Sequence, residues 1–186
     1  MEILSAALIS TCLYALPFAP ESSFKTLQGT NGKFSHQAPL EHAVDFSMPI
    51  GTPITATRDG VVKELRGDSD LSGKSLKFID HANFIKILHS DGSLSFYAHL
   101  KKDGVLVDVG EQVKRGQVIG LSGCTGFCDG PHLHYEVYHP TQTTENTPRG
   151  RVTIPIKTKT KEGITEFFER QTFYTAVSVS DEEACK

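Results

Sequence analysis

The amino-acid sequence predicts an all-β fold, a compact antiparallel β-sheet of barrel- or sandwich-like form with long loops. Three observations carry that prediction. Short apolar runs rich in β-branched and aromatic residues recur along residues 43–138, at the roughly 8–12-residue spacing typical of small β domains. Turn residues separate them, Ser90-Asp91-Gly92 most clearly. Runs with a helical 3.6-residue period are scarce. At 186 residues the chain is long enough for one domain with its own hydrophobic core.

Taken in order, residues 1–20 (MEILSAALISTCLYALPFAP) form the one long apolar run. It is too short to span a bilayer and has the length of a secretory signal's apolar core. No Lys or Arg precedes it, and Glu2 has the opposite sign. It is read as an export signal or an N-terminal segment; Thr11 argues against lipid attachment at Cys12. Residues 24–36 are turn-rich and end in His36. Ala43-Val44-Asp45-Phe46 is a short apolar strand with one acid, which is costly to bury without a cation. Arg58-Asp59-Gly60 reads as a hairpin turn between strands over 54–56 and 61–65. Further strands follow over 84–89, 94–99, 107–110, 117–120 and 132–138. Beyond His139-Pro140 the composition changes. Residues 141–151 read as a linker, and 162–169 as a short helix with Ile164, Phe167 and Phe168 on one side. The expected organisation is an N-terminal segment (1–20), a core (21–140) and an extension (141–186) that completes or packs on it.

The 19 basic and 22 acidic residues leave a net charge of −3. With no Lys/Arg run, this excludes a nucleic-acid surface. The mature chain is expected to have no stable membrane span and to be a monomer. Of four cysteines, Cys124 and Cys128 flank a three-residue loop just before a histidine pair. No second such pair exists to complete a structural zinc site, so a short disulfide in an oxidising compartment is the better reading.

Chemistry concentrates in Gly130-Pro131-His132-Leu133-His134-Tyr135-Glu136-Val137. Gly-Pro closes a loop, and the strand after it places His132 and His134 on one face, Leu133 and Tyr135 on the other. Two imidazoles at the mouth of a strand suit a metal; paired surface histidines are the plainer alternative. A catalytic zinc takes three protein ligands and keeps one position open. His134 and Asp45 are the obvious first two, and His36, Glu41 and His42 compete to be the third. If residues 41–45 form a regular strand, Glu41 shares the face of Asp45 and His42 does not; His36 can fold back through the Pro39 loop. His99, on the strand face of Ser95 and Tyr97, is expected to point into the same groove. His81, His89 and His139 read as surface residues.

Together these stretches resemble the lysostaphin-type zinc metallopeptidases, the M23 or LytM-domain peptidoglycan endopeptidases. The resemblance runs through Ala43-Val44-Asp45-Phe46 with Gly51-Thr52-Pro53, Asp59-Gly60-Val61-Val62, Tyr97-Ala98-His99-Leu100, Gly116-Gln117-Val118-Ile119-Gly120 and the Gly130–Val137 stretch. It covers roughly residues 36–138, in the family's order. It implies a Zn2+ held by Asp45, His134 and a third ligand still to be decided, and a catalytic pair, His99 and His132, that assists the attacking water and stabilises charge. It also implies hydrolysis of peptide bonds in peptidoglycan cross-links or stem peptides, in the periplasm or outside the cell. Two departures stand out. Glu41 occupies the place of the ligand histidine in the family's His-x-Gly-x-Asp pattern, so His36 is preferred as third ligand, ahead of His42 and then Glu41. Ala98 replaces a common Gly. The spacing from Ser35-His36 to Asp45 looks like a Gram-negative branch.

Two other classes compete. A non-catalytic LytM-type module would bind cell wall or regulate a partner hydrolase, having lost ligand residues. A lipoyl- or biotinyl-type carrier would need a modified lysine at a hairpin tip, and no lysine here stands in a matching motif.

Overall fold

The computed structural model describes residues 13–141 and 151–184, and strands dominate its regular structure. In chain order these are β1 (Leu13–Tyr14), β2 (Ser23–Gln28), β3 (Val44–Ser47), β4 (Pro53–Thr55), β5 (Gly60–Arg66), β6 (Ser72–Gly73), β7 (Asn83–Leu88) and β8 (Leu94–Val105). They continue with β9 (Gln112–Val113), β10 (Val118–Ser122), β11 (Gly126–Phe127), β12 (His132–Tyr138), β13 (Lys157–Thr160), β14 (Gly163–Thr165) and β15 (Phe173–Thr175). A 3-10 helix (Leu76–His81) precedes β7, and one helical turn, α1 (Asp181–Ala184), ends the described chain.

Ten strands form one sheet in the order β15-β2-β3-β12-β8-β7-β5-β9, with β10 pairing both β8 and β4. Every pairing within it is antiparallel. Alternation decides which side chains enter the core. Leu133, Tyr135 and Val137 of β12, Val44 and Phe46 of β3, and Ile85 and Ile87 of β7 are buried in one cluster with Tyr97, Leu100, Ile54 and Ile119. Each is worth roughly 1.5–3 kcal/mol of burial. The opposite face of β12 and β3 is left for His132, His134 and Asp45. A slip of one residue in the β3–β12 register would exchange the two faces, so the buried Val44 and Phe46 fix where Asp45 points.

Residues near both ends of the described chain belong to this core. Tyr14, Leu16 and Phe18 are fully or almost fully buried, so the described part of segment 1–20 is an interior element; residues 1–12 lie outside the described residues. Phe18 packs edge-on against Phe24 and Phe46, and Phe46 against Phe168, which meets Tyr174. This aromatic cluster ties segments near both ends of the described chain to the back of β3.

Several local expectations are corrected. Segment 24–36 opens with β2, whose edge β3 and β15 complete. Arg58-Asp59-Gly60 joins no hairpin: β4 pairs with β10, and β5 with β7 and β9. Arg58 is instead buried, 2.6 Å from Asp91. Residues 107–110 form no strand, because β8 runs on to Val105. Segment 162–169 holds β14 and no helix; Ile164 and Phe167 face solvent and only Phe168 turns inward. The linker read at 141–151 falls mostly on residues 142–150, outside the described residues. Among the described residues no helix is long and apolar enough to cross a membrane.

Candidate metal centre

Register sets the centre. Asp45 lies directly opposite His134 across the β3–β12 ladder, and paired residues of an antiparallel ladder share a face. His134 Nδ1 is 2.9 Å from Asp45 Oδ1. His36 arrives from the 29–43 loop, and its Nε2 is 3.2 Å from Asp45 Oδ2. His36, Asp45 and His134 form a group of possible ligand atoms all within 4.8 Å of one another, and no such group among the described residues contains Glu41 or His42. The parity argument for Glu41 fails because residues 41–42 are a turn, and β3 begins only at Val44.

The loop is held so that His36 faces inward. His36 Nδ1 donates to the Gly29 carbonyl at 3.2 Å, which leaves Nε2 for Asp45. Gly29 must lack a side chain, since a Cβ there would come within 1.7 Å of the Phe168 carbonyl oxygen. Gln28 does the rest: its amide donates to Asp45 Oδ2 (2.9 Å) and to Ser35 Oγ (3.0 Å), while its carbonyl accepts from the Phe34 and Ser35 amides. Nothing in the sequence marks Gln28, because only the β2–β3 pairing brings it opposite Asp45.

The residues present fit a cation. His36 Nε2 is buried and has no hydrogen-bond partner, although Asp45 Oδ2 is so near. A buried ring nitrogen and carboxylate oxygen converging without an aligned hydrogen bond are satisfied by a shared ion. Two nitrogens and one carboxylate oxygen match the three-ligand zinc set. Burial alone would raise the Asp45 carboxyl, but the neighbouring His36 and the hydrogen bond with His134 hold it well below the usual carboxylate range. Without an ion, burial opposes protonation of His134, yet its bonds to Asp45 and Glu136 push it up to about 9.

His132 and His99 stand beside this group. The His132 Nδ1–H donates to the Gly130 carbonyl at 2.8 Å, and Nε2 lies 4.0 Å from Asp45 Oδ1. His99 does not reach the groove by strand parity. Ser95 and Tyr97 point into the interior, where His99 would follow; instead its φ of 65° and the β7–β8 register shift place it on a bulge. Its Nδ1–H donates to the Thr125 carbonyl at 2.7 Å. Both rings therefore turn Nε2 away from their anchors. Burial, reinforced by His132 and His134, lowers His99 to about 3, so it stands as a neutral imidazole.

Cys124 and Cys128 form a disulfide, with Cα atoms 5.5 Å apart, that closes the loop carrying Thr125 and Phe127. A groove of about 890 Å3 opens over the histidines, with Phe34, Lys74, Phe127, Phe167 and Arg170 among its walls. The rings of Phe34 and Phe127 stack at 6.3 Å. His89 is no surface residue: it is buried, bonded to the Asp59 carbonyl and to Ser95. His81 and His139 are half-buried and outside the metal group.

The sequence profile of Peptidase family M23 matches residues 40–147. Peptidoglycan DD-endopeptidase ShyA of Vibrio cholerae is 44% identical over 96 residues, covering 52% of this chain and 20% of that protein. Glycyl-glycine endopeptidase ALE-1 of Staphylococcus capitis is 40% identical over 96 residues, covering 51% of this chain and 24% of that protein. The chain thus spans about a fifth to a quarter of the length of these curated relatives. Among solved structures, the catalytic domain of a mutant of the prophage-encoded M23 protein EnpA from Enterococcus faecalis aligns with a TM-score of 0.51 at 25% identity. That alignment covers 74% of this chain and 93% of that one.

Proposed function

The chain belongs to peptidase family M23, and on that premise we propose that it is a zinc-dependent endopeptidase that cleaves peptide bonds of peptidoglycan cross-links or stem peptides. The observation that carries this reading is the convergence of His36, Asp45 and His134 within 4.8 Å, with Asp45 and His134 lining an open groove together with His99 and His132. His36, Asp45 and His134 would hold the ion. Bound there, zinc would supply Lewis acidity, polarising the scissile carbonyl and acidifying water toward neutral pH. The protein's own part is proton handling and orientation. With Nδ1–H bonded to a carbonyl in each case, His99 and His132 present Nε2 lone pairs that can accept a proton and return it to the leaving amine.

One relative is named as a DD-endopeptidase and another as a glycyl-glycine endopeptidase, which are different bonds, so the reading stops at the class of bond. Action in the cell envelope, periplasmic or secreted, is part of the same proposal; the disulfide suits an oxidising compartment. The retention of all five polar side chains favours an enzyme over a non-catalytic wall-binding module.

The test is zinc analysis of the purified full chain, followed by incubation with intact sacculi and mass spectrometry of the products. About one zinc per chain and release of muropeptides cut at amide bonds are expected, both lost in Asp45→Ala. Sacculus binding without cleavage by the zinc-loaded protein would favour the non-catalytic module instead.

A further inference from the structure

His134 is braced from behind by two residues that neither the metal reading nor the catalytic pair uses. Glu136, two positions along β12, shares its face, and its Oε2 lies 3.1 Å from His134 Nε2. Glu136 is completely buried. A buried carboxylate needs a compensating charge, and Arg151 supplies it, with Nε 2.6 Å from Glu136 Oε1. That approach lies off the N–H axis, so the contact is an ion pair and not a second hydrogen bond. The guanidinium is itself fixed, 4.5 Å above the Phe96 ring and 5.6 Å from that of Tyr138. Phe96 faces Glu136 across the β8–β12 ladder, and Tyr138 is the next residue on the same face of β12. Arg151 lies beyond residues 40–147, the part that the family profile matches.

We infer that Arg151 and Glu136 act as positioning residues for the metal centre: Glu136 accepts the Nε2–H of His134 and so turns the Nδ1 lone pair toward Asp45 and His36, while the Arg151 guanidinium holds the Glu136 carboxylate in place. The inference rests on His134 being a metal ligand. An imidazole that ligates through one nitrogen needs a partner for the other, and a carboxylate both fixes its tautomer and strengthens it as a donor. The C-terminal extension thereby contributes to the centre itself and does more than cover the sheet. With Arg151 gone, Glu136 remains as an uncompensated buried charge that can pull away from His134.

The experiment is zinc affinity of the full chain, measured by competition with a chromogenic chelator, for Arg151→Met, Glu136→Gln, Glu136→Ala and Arg151→Met/Glu136→Gln. Arg151→Met and Glu136→Ala should weaken zinc binding by roughly 10- to 100-fold. Glu136→Gln, which keeps an oxygen for the Nε2–H, should stay within about threefold of wild type. Above all, the loss caused by Arg151→Met should shrink to within about threefold in the Glu136→Gln background, because no charge is left there to compensate. Equal losses in both backgrounds, or wild-type affinity in Arg151→Met, would overturn the inference. Should Arg151→Met fail to fold, Arg151→Lys takes its place, with the same comparison across the two backgrounds. His134→Ala separates the two readings: retention of wild-type zinc affinity there would refute the ligand assignment and leave the brace without a role.

Discussion

The rings of His99 and His132 lie 4.6 Å apart between centroids, although regular strand alternation would send His99 to the interior with Tyr97. The bulge at His99, with its positive φ, turns the side chain through to the groove face. Such a conformation is unfavourable for a non-glycine residue and is kept where the surroundings over-determine it. Here the Thr125 carbonyl holds the ring. His99→Ala and His132→Ala should each reduce kcat by about 10²- to 10⁴-fold, the range of general acid–base catalysis, with zinc content unchanged. Loss of zinc together with activity would place these residues in the metal site instead.

Gln28 links Asp45 to the loop that carries His36, so its removal should loosen two of the proposed ligands at once. Gln28→Ala is expected to weaken zinc binding by roughly tenfold, within the usual span for partners of metal ligands, and to leave KM for peptide substrates little changed. Equilibrium dialysis against zinc buffers gives the first number. An unaltered affinity would mean that Asp45 and the loop are held independently.

The disulfide sits where it can govern His99 and His132. Cys128 Sγ is 3.0 Å from the Gly130 carbonyl oxygen and 3.7 Å from His132 Nδ1. While bonded to Cys124 this sulfur has no proton, and the carbonyl is left to the His132 Nδ1–H. A free thiol could donate to the same oxygen. Cys124→Ser/Cys128→Ser, or reduction with a phosphine that spares zinc, should lower kcat on the order of tenfold through misplaced catalytic groups. Full activity in the reduced protein with zinc retained would show that β6 and the Thr125 side chain suffice to hold the loop.

His89 sets a pH dependence outside the candidate metal group. Burial lowers it from 6.5 to about 4, so between these values the unfolded chain binds a proton that the folded chain refuses. Stability from this residue is therefore complete above pH 6.5 and is lost as pH falls through about 4. At about 1.4 kcal/mol per pH unit the loss is on the order of 3 kcal/mol. Denaturant midpoints from about pH 7 to about pH 4.5 should fall more steeply in wild type than in His89→Gln. Parallel slopes would mean that other groups carry the acid sensitivity.

Phe18 tests the assignment of residues 13–20 to the core. It is 2% exposed and touches Phe24 and Phe46. Phe18→Ala should cost about 3–5 kcal/mol, as truncation of a buried aromatic does, visible in the melting temperature. A change below about 1 kcal/mol, small for a core aromatic, would return the segment to a dispensable leader.

Much of the centre was legible in residue order because it depends on a period of two. The face shared by His132 and His134 follows from strand alternation alone, as does the burial of Leu133 and Tyr135. Apolar neighbours around Asp45 likewise announced a buried acid that requires a cation. Glu136 was legible by the same rule, two residues beyond His134, but alternation says nothing of a partner as distant as Arg151.

Composition and spacing by themselves thus determined the β class, the family motifs and the axis from Asp45 to His134. Tertiary structure alone decided the rest: the inward turn of His36 toward Asp45, the bulge that brings in His99, the Gln28 clamp, and the docking of segments near both ends of the described chain behind β3. The physical reason is that alternation is a local property of a strand. Turns, bulges and pairings between distant segments are settled instead by which arrangement buries Phe18, Phe46 and Phe168 together while leaving polar groups with partners.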